Sequence, residues 1–136
     1  MYTHQVQYYE TDMMGVTHHS NYLRWMEEAR VDYFEKIGRS YKAIEDEGYA
    51  SPVVSINARY KKSTRFMDIV SIQINLIELS PVKLTFEYIM KVKDTVVFIG
   101  ESAHCFYNKT GKLLNLQKEK EDLYNLLKDN LKKDDK

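Results

Sequence analysis

The segment that decides the fold runs from residue 21 to residue 37 and reads NYLRWMEEARVDYFEKI. Its apolar side chains recur in steps of three and four residues, which is the period of an α-helix. The residues of this stripe are Tyr22, Met26, Ala29, Tyr33 and Ile37, widened by Trp25 and Phe34. A helix with so broad an apolar face is expected to lie buried against a sheet. Ser20 is its predicted N-cap, and Gly38, where a left-handed cap is easiest, is its predicted end.

Segments with the period of a β-strand lie on both sides of this helix. Alternation from Tyr2 to Tyr9 predicts a first strand. A short helical turn, about residues 41–47, is followed by four segments in which apolar and polar residues alternate. These predicted strands are residues 53–60, 70–76, 82–92 and 96–107. A last stripe, about residues 119–131, predicts a peripheral C-terminal helix. The sequence therefore predicts one α+β domain over residues 1–136, with an antiparallel sheet of five to six strands wrapped around one long central helix.

The composition excludes several classes of partner. The 136 residues contain 20 Lys plus Arg and 20 Asp plus Glu, so no net charge would attract nucleic acid or an anionic membrane. Cys105 is the single cysteine, which excludes a disulfide framework. No apolar run approaches the roughly 18 residues of a membrane span, and the N-terminus lacks a signal pattern. The expected location is the cytoplasm.

Several familiar catalytic and metal-binding motifs are absent from the sequence. It contains no Gly-rich phosphate loop, no Cys-x-x-Cys pair and no Gly-x-Ser-x-Gly elbow. His18 and His19 are adjacent, and neighbouring side chains do not face one site as residues four apart on a helix do. We therefore do not expect a metal site.

The strongest candidate site is the segment of residues 8–23, which reads YYETDMMGVTHHSNYL. Asp12 precedes Gly15 by three residues, a spacing typical of a type I turn. The turn leads to the N-terminus of the predicted helix, where unpaired backbone N–H groups create a partial positive charge. A carboxylate beside such donors has the two parts that acyl transfer needs, a base or nucleophile and an electrostatic clamp. The alternative is that Asp12 only bonds its own backbone in the turn.

Parts of this region resemble a known enzyme family. The stretches that carry the resemblance are residues 9–12, 15–16, 19–23 and 27–30. They are similar to the signature of the 4-hydroxybenzoyl-CoA thioesterase and YbgC branch of the hotdog enzymes. The resemblance implies the hotdog fold, with Asp12 as general base or nucleophile on a thioester and the backbone amide of His19 holding the carbonyl oxygen. It also implicates the side chains of Tyr8 and His19, although Tyr8 could equally be a strand aromatic in the core.

Residues 60–68, which read YKKSTRFMD, resemble a second segment of the same family. In that segment a basic strand end precedes Pro-Ala, Arg-Phe and an acidic pair. This chain departs from the pattern at Ser63-Thr64 and at Met67. The basic side chains of the segment are Lys61, Lys62 and Arg65. We expect them to bind the phosphates of CoA, with an ordinary solvated surface as the alternative.

The predicted function is hydrolysis of an acyl-CoA thioester, preferentially a fatty acyl-CoA. The flexible side chains of Met13, Met14 and Met26 suit an adaptable apolar pocket if they line it, although core packing explains Met26 equally well. The resemblance implies a homodimer or homotetramer with acyl pockets at the subunit interface and no required cofactor. The alternatives are an acyl carrier protein thioesterase, a non-catalytic acyl-CoA-binding dimer and a hotdog dehydratase. The dehydratase is disfavoured because those enzymes place a His-Asp or His-Glu pair differently on the fold.

Overall fold

The computed structural model describes residues 1–133, and its elements follow the predicted order. The strands are β1 (Tyr2–Gln5), β2 (Val53–Tyr60), β3 (Ile69–Leu79), β4 (Leu84–Val92) and β5 (Thr95–His104). The helices are α1 (Ser20–Lys36), α2 (Tyr41–Asp46), α3 (Leu116–Glu119) and α4 (Glu121–Asp129), with a single 3₁₀ turn at Tyr8–Glu10. The five strands form one antiparallel sheet in the order β1-β3-β4-β5-β2. The predicted antiparallel α+β architecture is confirmed.

Helix α1 lies with its apolar stripe against one face of the sheet. The ring of Tyr22 stacks on Phe98 of β5 with the centroids 5.1 Å apart, and the ring of Tyr33 meets Phe86 of β4 edge-on at 5.1 Å. Strand β4 alternates as predicted, and its buried apolar residues are Leu84, Phe86, Tyr88 and Met90. Burial of each large apolar side chain contributes roughly 1.5–3 kcal/mol to stability. This shared apolar face holds α1 on the sheet.

The start of α1 differs from the prediction, whereas its end agrees. Ser20 is the first helical residue, and the N-cap position is His19, whose side chain makes no capping hydrogen bond. The predicted N-cap role of Ser20 is wrong, because its hydroxyl bonds His18 Nδ1 at 2.8 Å instead of a backbone amide. At the other end Gly38 has a φ of 95° and donates its N–H to the carbonyl of Glu35. The left-handed glycine stops the helix as expected.

Strand β1 ends at Gln5 and not at Tyr9. The chain leaves the sheet because the carboxylate of Glu10 turns into the core, where it accepts a hydrogen bond from Trp25 Nε1 at 2.8 Å. The backbone accommodates this inward position through the 3₁₀ turn at Tyr8–Glu10. Tyr8 is consequently 75% exposed. The alternative that Tyr8 is a strand aromatic in the core is therefore wrong.

The C-terminal helical region is divided in two. The predicted helix over about residues 119–131 corresponds to α4, which covers Glu121–Asp129, while the short α3 ends at Glu119. Leu123 and Leu127 of α4 are buried, so its leucine stripe packs on the rest of the chain. The predicted single domain over residues 1–136 extends past residue 133, and that last part lies outside the described residues. Within residues 1–133 no helix is long and apolar enough to cross a membrane.

Strand β2 forms one edge of the sheet. It pairs with β5 and, within the described residues, with no other strand. Its apolar side chains remain accessible, Val54 at 57% and Ile56 at 44%. An edge of this kind presents unpaired backbone N–H and C=O groups, which natural proteins usually pair or cover. The predicted strand at residues 53–60 is confirmed, and it lies at an edge of the sheet.

A chain of buried polar side chains crosses the core from α1 to β5. Arg30 Nη1 donates to the Tyr88 hydroxyl at 3.0 Å, the Tyr88 hydroxyl lies 2.6 Å from Ser102 Oγ, and Ser102 Oγ lies 2.7 Å from His104 Nε2. Burial, and then the charge of Arg30, lower the pKa of His104 from 6.5 to about 4, although a hydrogen bond with the Pro52 backbone opposes the shift. His104 is therefore neutral at pH 7.

We expect the protein to lose stability between pH 7 and pH 5 because of His104. Its pKa is lower in the folded chain, so the unfolded chain binds a proton first as the pH falls below 6.5. The contribution of neutral His104 is complete above that pH and is lost progressively toward pH 4. Urea unfolding at pH 7 and pH 5 should show a loss on the order of 2 kcal/mol from this group. His104→Gln keeps a hydrogen-bonding group near Ser102 but does not titrate, so equal losses in both proteins would contradict the assignment.

Candidate active site

The turn that carries Asp12 forms as the sequence predicts. The Asp12 carbonyl accepts a hydrogen bond from Gly15 N at 3.0 Å, and Gly15 adopts the φ of 77° that glycine tolerates without strain. Asp12 Oδ1 accepts from Met14 N at 2.8 Å and, more weakly, from Val16 N at 3.4 Å. Asp12 is exposed, and its Oδ2 has no hydrogen-bond or ion-pair partner among residues 1–133. One carboxylate oxygen therefore orders the turn while the other stays available.

The end of this turn is fastened to the segment that joins β2 to β3. Thr17 N donates to the carbonyl of Thr64 at 2.9 Å, and the two threonine hydroxyls lie 2.6 Å apart. The hydroxyl of Tyr22 completes the group at 3.0 Å from Thr64 Oγ1. Thr64 is fully buried, and burial is the main reason why the pKa of Tyr22 is raised. Thr64 belongs to the Ser63-Thr64 pair that stands where the family segment has Pro-Ala. It thus supplies a buried hydroxyl that the side chains of Thr17 and Tyr22 contact.

A cleft of about 250 Å³ opens beside the N-terminus of α1. Its lining residues are Thr17, His19, Tyr22, Tyr60, Lys61, Lys62 and Ser63. The Tyr60 hydroxyl donates to the His19 carbonyl at 3.3 Å, which ties the end of β2 to the start of α1. The N–H of His19 has no hydrogen-bond acceptor in the part of the chain that is described. A helix N-terminus with an unpaired N–H stabilises negative charge, so this side of the cleft suits an anion or a developing oxyanion.

The six residues that the sequence singles out fall into two groups. His19, Lys61 and Lys62 line the cleft; Asp12, Tyr8 and Arg65 do not. Arg65 lies beside the turn, because a Cβ at Gly15 would be 3.7 Å from its Nη1. The segment Val16–Thr17, which pairs with Thr64–Arg65, joins the two groups. Thus Lys61 and Lys62 lie in the cleft, whereas Arg65 lies beside the Asp12 turn.

Exposed apolar side chains include two in the Asp12 turn and a pair that Tyr8 forms with Phe66. Met13 and Met14 are almost wholly exposed, and the ring of Tyr8 meets Phe66 edge-on with centroids 5.6 Å apart. Met26, by contrast, is fully buried in the core of α1 and the sheet. Core packing therefore accounts for Met26, while Met13 and Met14 are free to contact a ligand or a second subunit.

Sequence reasoning assigned no role to Glu10, which precedes Asp12 by two residues. Its side chain is 4% exposed and accepts hydrogen bonds from His4 Nε2, Gln7 N and Trp25 Nε1, each at 2.8 Å. Burial alone would raise the pKa of Glu10, but these hydrogen bonds outweigh it and hold the pKa below its usual value. No spacing rule identifies such a residue, because its partners come from a strand, a turn and a helix. Tyr60 and Thr17 likewise could be recognised as cleft residues only in the folded structure, where β2 and the loop before α1 lie together.

Comparison with known proteins identifies the family. Residues 6–127 match the family model described as the thioesterase-like superfamily. A DHNA-CoA thioesterase from Staphylococcus aureus superposes with a TM-score of 0.90 at 30% identity, covering 94% of this chain and 87% of that one. A hypothetical protein from Aquifex aeolicus superposes with a TM-score of 0.86 at 36% identity, covering 93% and 97%. This chain belongs to the thioesterase-like superfamily. It is a thioester hydrolase with the hotdog fold that the sequence resemblance implied.

Proposed function

We propose that the protein hydrolyses acyl-CoA thioesters at the site formed by Asp12 and the neighbouring cleft. One observation carries the proposal. Along the chain, residues 13–18 alone separate the exposed carboxylate of Asp12, which has one free oxygen, from the unpaired N–H of His19 at the N-terminus of α1. These are the base or nucleophile and the oxyanion donor that thioester hydrolysis requires. Membership of the thioesterase-like superfamily supports the same chemistry.

The proposed reaction uses groups that this chain supplies. The thioester carbonyl oxygen accepts a hydrogen bond from the N–H of His19, so that negative charge developing on it faces the positive end of α1. Asp12 either removes a proton from the attacking water or attacks the carbonyl carbon itself, with water then cleaving the resulting anhydride. In both routes the C–S bond breaks, the CoA thiolate leaves with the electron pair and the acyl group leaves as a carboxylate. Of the two protons of the water, one ends on the CoA thiol and the other passes to solvent, which returns Asp12 to its ionised form. The side chains of His19 and Tyr8 assist by contacting the substrate.

The cations near the site support a CoA ester as the substrate. Lys61 and Lys62 line the cleft and Arg65 lies beside the turn, and none of the three forms a salt bridge within residues 1–133. Unpaired cations of this kind are suited to phosphate oxygens. The similar Staphylococcus aureus protein is described as a CoA thioesterase. These observations favour CoA over an acyl carrier protein.

The surface around Asp12 supports a fatty acyl group. Met13 and Met14 follow Asp12 in the turn and are exposed, and methionine side chains adapt to flexible apolar ligands. Tyr8 and Phe66, whose rings contact each other, are also exposed. A panel of acyl-CoAs that includes an aryl ester alongside saturated chains of several lengths tests the preference directly. A kcat/KM highest for the aryl ester would exclude fatty acyl groups as the preferred substrates.

A second copy of the chain is the proposed partner of the β2 edge. Pairing two β2 strands would satisfy their open backbone groups and cover Val54 and Ile56. The resulting homodimer could associate further into a homotetramer. Because Tyr60 ends β2 and lines the cleft, each site would lie close to the subunit boundary.

Asp12→Asn should lower kcat at least about 100-fold, because the amide keeps the turn but cannot act as base or nucleophile. The unfolding midpoint and the affinity for an unreactive acyl-CoA analogue should stay close to wild type. Release of CoA, followed with a thiol-reactive dye, measures the rate. Asp46→Asn, an exposed aspartate on α2, is the matched control. A non-catalytic acyl-CoA-binding protein would bind the ester without releasing CoA in either form, and a turn-only role would leave activity per folded molecule intact.

Lys61→Ala with Lys62→Ala should raise KM for acyl-CoA roughly 5- to 30-fold and leave kcat within about 2-fold, since remote phosphate contacts act alike in ground and transition states. The difference from wild type should shrink in high salt. Lys42→Ala on the exposed face of α2 is the control, and Arg65→Ala tests the third cation separately. An unchanged KM in the double variant would mean that the phosphates bind elsewhere.

Light scattering should give a mass at least twice the 16.1 kDa of one chain. Ile56→Lys places a charge in the middle of the β2 edge and should shift the protein toward monomer. Val82→Lys, an exposed residue in the turn between β3 and β4, should leave the mass unchanged. A monomeric wild-type protein at micromolar concentration would refute the proposed dimer.

A further inference from the structure

The buried carboxylate of Glu10 joins three separate parts of the chain. Oε1 accepts from His4 Nε2 on β1 and from Gln7 N in the turn, and Oε2 accepts from Trp25 Nε1 on α1, each at 2.8 Å. The other ring nitrogen of His4, Nδ1, lies 3.2 Å from Glu28 Oε2. Both carboxylate oxygens of Glu10 are thus occupied by N–H donors, which come from β1, the following turn and α1.

The backbone of Glu10 makes a second set of contacts, with the start of α1. Its carbonyl accepts from His18 N at 2.8 Å and from Asn21 Nδ2 at 3.0 Å. His18 directly precedes the residue whose N–H is unpaired at the cleft. Asp12 follows Glu10 by two residues along the chain. Glu10 therefore lies at the point where the carboxylate turn and the helix N-terminus meet.

We propose that Glu10 is a positioning residue for the proposed hydrolysis, fixing the Asp12 carboxylate and the His19 amide relative to each other. The inference rests on the proposed function, because it assigns Asp12 and His19 their roles. The buried side chain of Glu10 fixes the position of its own backbone. The Glu10 carbonyl in turn fixes His18, because it accepts a hydrogen bond from the His18 N–H. Movement of Glu10 would displace the base or nucleophile and the oxyanion donor from one another, and a misplacement near 1 Å can cost about 100-fold in rate.

An ionised carboxylate is required at this position, because all three of its partners present N–H groups. In Glu10→Gln one orientation of the amide turns its NH₂ toward Trp25 Nε1, and the other turns it toward Gln7 N. Either way one buried donor faces another donor and loses its acceptor. The substitution keeps the volume of the side chain and removes only the arrangement of acceptors.

The kinetic test compares Glu10→Gln with a variant that disturbs a different buried polar group. Glu10→Gln should lower kcat roughly 10- to 100-fold and leave KM for acyl-CoA within about 3-fold, since the cations that face the phosphates are unchanged. Tyr88→Phe, which interrupts the Arg30–Tyr88–Ser102 contacts, should lower the melting temperature but leave kcat per folded molecule within about 2-fold. Equal kcat in the two variants would show that Glu10 is only structural.

A double-mutant cycle with Asp12→Asn separates positioning from general destabilisation. If Glu10 acts through Asp12 and the His19 amide, Glu10→Gln should lower kcat by less than about 3-fold once Asp12 is already asparagine. Full additivity of the two effects would overturn the proposal. Should Glu10→Gln fail to fold, Trp25→Phe removes the bond to Oε2 together with part of a buried ring, and its loss per folded molecule must again fall on kcat and not on KM.

Amide hydrogen exchange tests the positioning without any assay of hydrolysis. In Glu10→Gln the N–H of His18 should exchange at least about 10-fold faster, while amides in the centre of β4 change less. Unchanged protection of His18 would overturn the proposal. If the wild-type protein cleaves no acyl-CoA, the proposed function fails, and this measurement alone decides whether Glu10 holds the loop.

Discussion

The local structure around the site depends on one buried anion. A carboxylate in an apolar core is costly unless every oxygen is satisfied, and Glu10 meets that condition with N–H groups from β1, a turn and α1. Its inward position ends β1 early, exposes Tyr8 and sets the approach to α1. The Asp12 turn then begins where the chain re-emerges at the surface. Thus one buried carboxylate links β1, the 3₁₀ turn and α1.

Regular periodicity made most of the fold predictable. The stripe of α1, the alternation of β4 and the glycine at the end of α1 each follow from local rules, and each was found where expected. The errors lie where a tertiary contact overrode a local preference. Ser20 is not the N-cap because the His18 ring takes its hydroxyl, and the first strand is short because Trp25 draws Glu10 inward. Neither contact can be predicted from the spacing of residues along the sequence.

The candidate site was predictable in its parts but not in its arrangement. The Asp12 turn, the unpaired helix N-terminus and the basic segment could be recognised from residue types and from the family resemblance. Their distribution could not, because it depends on how Thr17 pairs with Thr64 and so separates Arg65 from the two lysines. Glu10 escaped notice for a related reason. A glutamate in a polar loop looks like a solvated residue until the aromatic and imidazole donors that surround it are assembled in three dimensions.

The open edge of β2 has a consequence for how its sequence can change. When a strand pairs antiparallel with a copy of itself about a two-fold axis, the residue on the axis faces its own duplicate and every other residue faces a different one. In the proposed homodimer, an axis at the middle of the eight-residue β2 would pass through Ile56 or Asn57. A charge introduced at the residue on the axis would then meet an identical charge, whereas the same charge near either end of β2 would meet a different residue. The side chain on the axis would therefore have to be compatible with its own duplicate.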